Sequence, residues 1–125
     1  MYDLIIIGRG LSSLLFLKQY LLTHSDLKIL IIEKSKSVEN RYISSWQGPG
    51  ILDLKKEYGI DPDKVYKKIS ISNEEILIKK NIATYSYNTY DYKHIIETIF
   101  NSIKDKVEII YDEVISIKEK YNEVN

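Results

Sequence analysis

The sequence predicts an α/β fold with a parallel sheet at its core, and three observations carry that prediction. An apolar run over residues 2–7 passes directly into a glycine turn, Gly8-Arg9-Gly10. Leucines at helical spacing follow the turn, and a second apolar run covers residues 27–32. A helix between two strand-like runs forms a βαβ unit, in which the helix carries the chain back so that the two strands run parallel.

The first apolar run is predicted to be a strand that is buried on both faces. Its isoleucines, Ile5, Ile6 and Ile7, do not alternate with polar residues. Such a run is typical of a central strand in a parallel sheet, where helices cover both faces. The branched side chains of these three isoleucines also favour the extended backbone of a strand.

The glycine turn is suited to holding an anion. Gly8 has no Cβ, so the chain can turn sharply there, and Gly10 lets a bound group come close to the backbone. The predicted helix directs its free N–H groups and the positive end of its dipole at the same place. The pattern therefore predicts a phosphate site. Its main-chain groups belong to Gly8, Arg9, Gly10, Leu11, Ser12 and Ser13.

The predicted helix has an apolar stripe, and Lys18 and Gln19 are expected on its outer face. Ser13 stands where the usual Gly-x-Gly-x-x-Gly fingerprint has its third glycine, which serves close packing of helix on strand. A slightly wider gap between helix and sheet is expected from this serine. No Gly-Lys-Ser/Thr follows, which excludes a P-loop. The stripe consists of Leu11, Leu14, Leu15, Leu21 and Leu22.

Glu33 ends the second apolar run, 20 residues after Ser13. A carboxylate at this place can accept hydrogen bonds from a ribose. A bare Gly-x-Gly is a weak signal, but its strand, helix, second strand and carboxylate together predict a dinucleotide site, with Lys34 beside the adenine. The alternative is a unit of the same fold that binds nothing.

The composition of the chain limits the classes of function. With 125 residues the chain has the length of one small domain. Its 18 basic and 18 acidic residues give no net charge, so nothing favours nucleic acid or an anionic membrane surface as a partner. The absence of cysteine excludes disulfides and thiol chemistry. No signal peptide or spanning helix is recognised, and a cytoplasmic location is expected.

The middle of the chain is predicted to be a loop followed by a small antiparallel insert. Residues 40–50 are expected to form a loop beyond the carboxyl end of the second strand, where Arg41 could pair with a phosphate. The alternative is a surface arginine. A short helix over residues 51–58 is expected to stop at Gly59, and short strands are expected over about 62–88.

The last third is predicted to hold a helix and a third parallel strand. Asn88 or Thr89 is expected to cap a helix over residues 91–104. Residues 107–111 are expected to form a third buried strand, and residues 114–118 alternate as in a hairpin strand. His24 and His94 are interpreted as ordinary loop and boundary histidines. No residue is a convincing catalytic acid, base or nucleophile, and no metal site is predicted.

The order of these elements resembles the N-terminal part of FAD-dependent oxidoreductases of the glutathione-reductase type, and more closely the lycopene cyclase family. The family opens with a strand and Gly-x-Gly-Leu, matched here by Gly8-Arg9-Gly10-Leu11. Its Asn-His-Thr-Trp-Ser motif is similar to Asn40-Arg41-Tyr42 with Trp46 nearby, although the histidine is absent. Residues 83–89 resemble the Gly-Tyr-Phe-Ser-Ile-Thr-Ser stretch of the family.

This resemblance implies a Rossmann-like domain that binds FAD, with NAD(P) as the alternative cofactor. Family members use reduced FAD to isomerise a carotenoid end group in carotenoid biosynthesis, without net redox change. A lipophilic isoprenoid substrate, and a location peripheral to the membrane, would follow. The resemblance also implies that the main chain of Val114 contacts the adenine edge, and that Arg41 reaches a phosphate or the flavin.

The resemblance covers about the first third of a family member, so the later strands and the catalytic residues are expected to be missing. The first strand would then be an exposed sheet edge, which invites pairing with a second chain. We therefore expect an ADP-binding portion that is inactive alone. The alternatives are a fragment of a geranylgeranyl-reductase-like or halogenase-like enzyme, and a non-enzymatic partner subunit.

Overall fold

The computed structural model describes residues 1–48, 50–66, 68–71, 74–77 and 86–120. The chain forms two compact units. The first contains Met1–Ser37 and Ile103–Asn125, and the second contains Val38–Ser102.

The chain contains both helices and strands, as the α/β prediction requires. A short 3-10 turn, Lys104–Lys106, joins the last helix to the last strand. The elements in chain order are β1 (Leu4–Ile7), α1 (Leu11–Tyr20), β2 (Ile29–Glu33), β3 (Tyr42–Gln47), α2 (Leu54–Tyr58), β4 (Lys64–Tyr66), β5 (Lys68–Ile71), β6 (Glu74–Leu77), β7 (Ser86–Asp91), α3 (Tyr92–Ile103) and β8 (Glu108–Tyr111).

The first unit is built on a three-stranded parallel sheet, with the strand order β1-β2-β8. Ile5 pairs with Leu30 across the first ladder, and Leu30 pairs with Glu108 across the second. The parallel pairing of β1 with β2, with α1 between them in sequence, confirms the predicted βαβ unit. The third parallel strand is confirmed as well.

β2 forms the buried centre of this sheet, because it has a neighbour on each side. Ile29, Leu30 and Ile31 are nearly inaccessible to solvent. β1 lies at an edge, and Ile5 and Ile7 are 51% and 53% exposed. The prediction that both faces of β1 are buried is therefore wrong for the described part of the chain, whereas the prediction of an exposed edge is confirmed.

β8 is the other edge of the sheet and is less buried than its sequence predicts. Ile110 lies in one row with Ile7 and Ile32 and is 47% exposed, while Tyr111 is 38% exposed. The expectation of a buried third strand fails because an edge strand has a neighbour on one side only. Ile5, Ile7 and Ile110 thus leave an apolar sheet face partly open to solvent.

α1 follows the glycine turn and buries one side. Leu14 and Leu17 are fully buried and Leu21 nearly so, but Leu22 is 71% exposed. Leu22 was expected in the apolar stripe; it lies beyond the last residue of α1, where helical spacing no longer decides which way a side chain points. Whether Ser13 widens the gap between helix and sheet stays a prediction.

Gly8 has φ +96°, a backbone conformation that residues with a side chain rarely adopt. Changing Gly8 to Ala is expected to destabilise the chain by about 1–2 kcal/mol through backbone strain alone, since a Cβ at this position meets no atom within 4 Å. Urea denaturation followed by circular dichroism measures this loss. Ser12→Ala, at an exposed position of α1, is the matched control and is expected to change stability by less than about 0.5 kcal/mol. Unchanged stability of Gly8→Ala would contradict the positive φ.

The second unit holds a three-stranded antiparallel sheet in the order β3-β7-β4, and β5 pairs with β6 separately. An antiparallel insert was expected over about 62–88, and β4, β5 and β6 lie there. Residues 67, 72–73 and 78–85 of that stretch lie outside the described residues. The expected loop over residues 40–50 is instead largely β3, because residues 42–47 pair along their whole length with β7.

Two helix boundaries in the second unit can be compared with the prediction. Asp53 accepts a hydrogen bond from Lys56 N and caps α2, which ends at Gly59 with φ 68°, so the expected stop is confirmed. The expected cap of the last helix at Asn88 or Thr89 is wrong. Both residues lie within β7, and α3 begins only at Tyr92, because pairing with β3 holds that stretch extended.

The segment after β8 differs from the expected hairpin strand. Residues 112–120 are not assigned to any strand, and Ile115 and Ile117 are 90% and 78% exposed. An alternating pattern forms a strand only when a partner supplies the ladder, and no described segment pairs with this one.

Within the described ranges, no helix is long and apolar enough to cross a bilayer.

Candidate functional site

The carboxyl ends of the three parallel strands lie side by side, at the edge where open α/β sheets bind ligands. Gly8 N donates to Ile32 O at 2.8 Å, which continues the ladder between β1 and β2. Glu33 pairs in register with Tyr111 at the end of β8. Gly8, Glu33 and Tyr111 therefore form one row across the sheet.

The carboxylate of Glu33 lies at the start of α1. Its Oε2 accepts a hydrogen bond from Arg9 N at 2.5 Å, and its Oε1 accepts one from Ser35 N at 3.2 Å. The side chain thus points toward the glycine turn rather than away from it. The sequence predicts this position of the carboxylate, and the role of Glu33 at a ribose stays a prediction.

The N-terminus of α1 begins at a glycine, which has no side chain to cap it. Gly10 occupies the capping position with φ −82° and ψ 178°, and the described part of the chain makes no side-chain cap hydrogen bond there. That turn also contains no acidic residue. The unsatisfied N–H groups and the helix dipole together favour an anion at this end.

A cavity of about 210 Å³ lies beside Glu33. It is lined by residues 7–8, 32–34 and 112–114, and so brings together Gly8, Glu33, Lys34 and Val114, which the sequence analysis placed in one site. Lys34 Nζ lies 3.7 Å from Glu113 Oε1, and both side chains are exposed. A second cavity of the first unit, about 320 Å³, is lined by residues 26–29 and 105–108. These residues precede or begin β2 and β8, so this cavity lies at the amino ends of the strands. The cavity beside Glu33 is the better candidate because it lies at the carboxyl ends.

The side chain of Arg9 reaches the last residue of the third strand. Its Nη1 donates to Tyr111 Oη at 3.0 Å, and its Cζ lies 5.5 Å from the centre of the tyrosine ring. Sequence reasoning used only the main chain of Arg9 and missed Tyr111. The available signal was that Tyr111 ends the third strand, as Glu33 ends the second.

Arg41 belongs to the second unit, where it makes contacts of its own. Its Nε lies 2.9 Å from Glu39 Oε2, and its guanidinium lies 4.0 Å from the centre of the Tyr92 ring. The main chain of Arg41 also accepts a hydrogen bond from Tyr92 N. A role for Arg41 at a phosphate or at the flavin stays a prediction.

The second unit has a polar cavity of about 220 Å³, lined in part by Asn88 and Tyr90. Asn88 Nδ2 donates to Tyr90 Oη at 3.0 Å, and burial raises the pKa of Tyr90. Asn88 Oδ1 has no partner among the described residues, but it is also closed to solvent. The hydrogen bond joins two side chains of β7, whereas the unpaired Asn88 Oδ1 is a cost to the stability of this unit. Within the described residues, no group of three His, Asp or Glu side chains could hold a metal ion.

A comparison of the sequence with protein-family models finds no match, and a comparison with curated proteins finds none. The function of the chain is therefore inferred from the geometry of the first unit and from the resemblance described above.

Proposed function

We propose that the first unit binds the ADP portion of FAD, and that the chain provides the ADP-binding part of a flavin-dependent enzyme similar to the lycopene cyclases. The observation that carries this proposal is the position of the Glu33 carboxylate, 2.5 Å from Arg9 N at the start of an uncapped helix. Acceptors for a ribose and donors for a pyrophosphate then lie next to each other.

Each part of ADP has a counterpart in the site. The pyrophosphate accepts hydrogen bonds from the N–H groups that follow Gly10. A carboxylate can accept about four hydrogen bonds, and two are made by Arg9 N and Ser35 N. The remaining capacity of Glu33 suits the two ribose hydroxyls. The adenine fits the adjoining cavity, where the main chain of Val114 and the side chain of Lys34 line the wall.

The charge of the cavity favours a ribose without a 2′-phosphate. Glu33, Asp112 and Glu113 all line it, while Lys34 lies near Glu113. A 2′-phosphate would add negative charge beside these carboxylates and would be repelled. The site therefore suits FAD or NAD better than NADP. FAD and NAD present the same ADP group, so the site itself does not distinguish them. The resemblance to flavoproteins is the reason for preferring FAD.

In this proposal the flavin supplies the chemistry, and the residues of the first unit bind and orient its ADP end. The described residues contain no convincing acid or base for an isoprenoid substrate. The chain alone is therefore proposed to bind nucleotide without catalysing a reaction.

Calorimetric titration of the 125-residue chain with ADP, NAD⁺ and NADP⁺ tests the proposal. ADP and NAD⁺ are expected to bind, and NADP⁺ to bind at least about tenfold more weakly because of the extra phosphate. The proposal fails if ADP shows no binding at about 10 mM, a concentration that detects even a millimolar dissociation constant.

A further inference from the structure

We propose that Tyr111 holds the guanidinium of Arg9 only in the nucleotide-free protein, and that Arg9 exchanges the tyrosine hydroxyl for the pyrophosphate when a nucleotide binds. The inference rests on the proposed function and assigns side-chain roles to two residues of the same site.

The side chain of Arg9 crosses the carboxyl end of the parallel sheet. Arg9 follows β1, whereas Tyr111 ends β8, two strands away, and neighbouring strands lie about 4.8 Å apart. The hydrogen bond of 3.0 Å between Arg9 Nη1 and Tyr111 Oη therefore spans the end of β2. Glu33 stands at that end, in register with Tyr111. A ribose that binds Glu33 must share this space with the arginine side chain.

The tyrosine hydroxyl and a pyrophosphate differ in how strongly each can bind the guanidinium. The tyrosine hydroxyl is a neutral acceptor, and the Arg9 Cζ lies 5.5 Å from the ring centre, near the limit for a cation–π contact. A pyrophosphate is an anion that can accept two parallel hydrogen bonds from one guanidinium. Charge-assisted bonds are roughly twice as strong as neutral ones, so the exchange is favourable once phosphate is present.

The position of Arg9 in the chain places it next to the proposed pyrophosphate site. Arg9 directly precedes Gly10, the capping residue of α1, and its own N–H already donates to Glu33. The main chain of Arg9 is thus fixed at the place where the pyrophosphate is proposed to bind. Only rotation about its side-chain bonds is needed to bring the guanidinium from Tyr111 to the phosphates.

The exchange predicts opposite effects of two substitutions. Arg9→Ala removes a phosphate ligand and is expected to weaken ADP binding about tenfold or more. Tyr111→Phe removes the competing hydroxyl in the free protein but keeps the ring, and it is expected to tighten ADP binding by about two- to tenfold. Neither substitution is expected to weaken binding of adenosine, which carries no phosphate. Tyr111→Phe in an Arg9→Ala background is expected to have no further effect on ADP.

Calorimetry with ADP and adenosine on the wild-type chain, both single variants and the double variant measures these effects, and thermal melting checks that each variant is folded. If wild type binds ADP but Arg9→Ala binds it equally well, or if Tyr111→Phe weakens ADP binding, the exchange is wrong and the proposed function stands. Equal weakening of ADP and adenosine by Arg9→Ala would also overturn it, because the role would then be structural. If wild type binds no ADP, the proposed function fails and this inference fails with it.

Discussion

Replacing Gly10 with valine is expected to abolish ADP binding while leaving the first unit folded. Gly10 has φ −82° and ψ 178°, an extended conformation that every residue can adopt, so the substitution introduces no backbone strain. A valine side chain would instead stand in front of the free N–H groups of α1, where the pyrophosphate is proposed to bind. The expected loss of affinity is about a hundredfold or more, since several phosphate hydrogen bonds are broken together.

Titration with ADP and thermal melting of the same samples separate the two effects of this substitution. Gly10→Ala, with a smaller side chain, is expected to lie between wild type and Gly10→Val in affinity, with the melting temperature unchanged. Binding by Gly10→Val that equals wild type would remove the phosphate site from the start of α1. A large drop in melting temperature would instead show that Gly10 serves packing.

Replacing Glu33 with alanine is expected to weaken ADP binding by about 1–3 kcal/mol, or roughly five- to 150-fold. The ribose hydroxyls would lose a charged acceptor. The substitution also removes the partner of Arg9 N at 2.5 Å, so part of the effect comes through the glycine turn. Glu33→Gln keeps one acceptor oxygen and is expected to lose less.

A nucleotide without ribose hydroxyls isolates the contribution of the carboxylate. Wild type is expected to bind 2′,3′-dideoxy-ADP more weakly than ADP, whereas Glu33→Ala is expected to bind the two about equally. Asp112→Ala is the matched control, since Asp112 lines the same cavity but has no proposed ribose contact. If Glu33→Ala retains the preference for ADP over the dideoxy nucleotide, Glu33 is not the ribose ligand.

The part of the fold that could be predicted from sequence is the part specified by neighbouring residues. The apolar run of β1, the glycine turn, α1 and β2 follow one another within 33 residues, and their pairing needs only one helical connection. The placement of Glu33 followed from the same unit, because a residue that ends β2 must lie beside the turn that ends β1. The free N–H groups at the start of α1 were likewise expected, because the helix directly follows the glycine turn.

The rest depends on partners that are distant in sequence. Residues 42–47 have no strong strand pattern, and they are extended because β7, about 40 residues later, pairs with them. That same pairing keeps Asn88 and Thr89 out of the helix they were expected to cap. The contact between Arg9 and Tyr111 joins residues 102 positions apart. It depends on the register of β2 with β8, which no local sequence pattern specifies.

The bare edge of β1 has a practical consequence for handling the purified chain. The N–H and C=O groups on its outer side pair with no strand among the described residues. They can therefore form hydrogen bonds with the edge strand of a second molecule, which leads to aggregation. The formal charge is zero at pH 7 and the isoelectric point is about 6.7, which leaves little mutual repulsion between molecules in neutral buffer. Dilute samples in mildly alkaline buffer, where the chain becomes anionic, should therefore resist precipitation best.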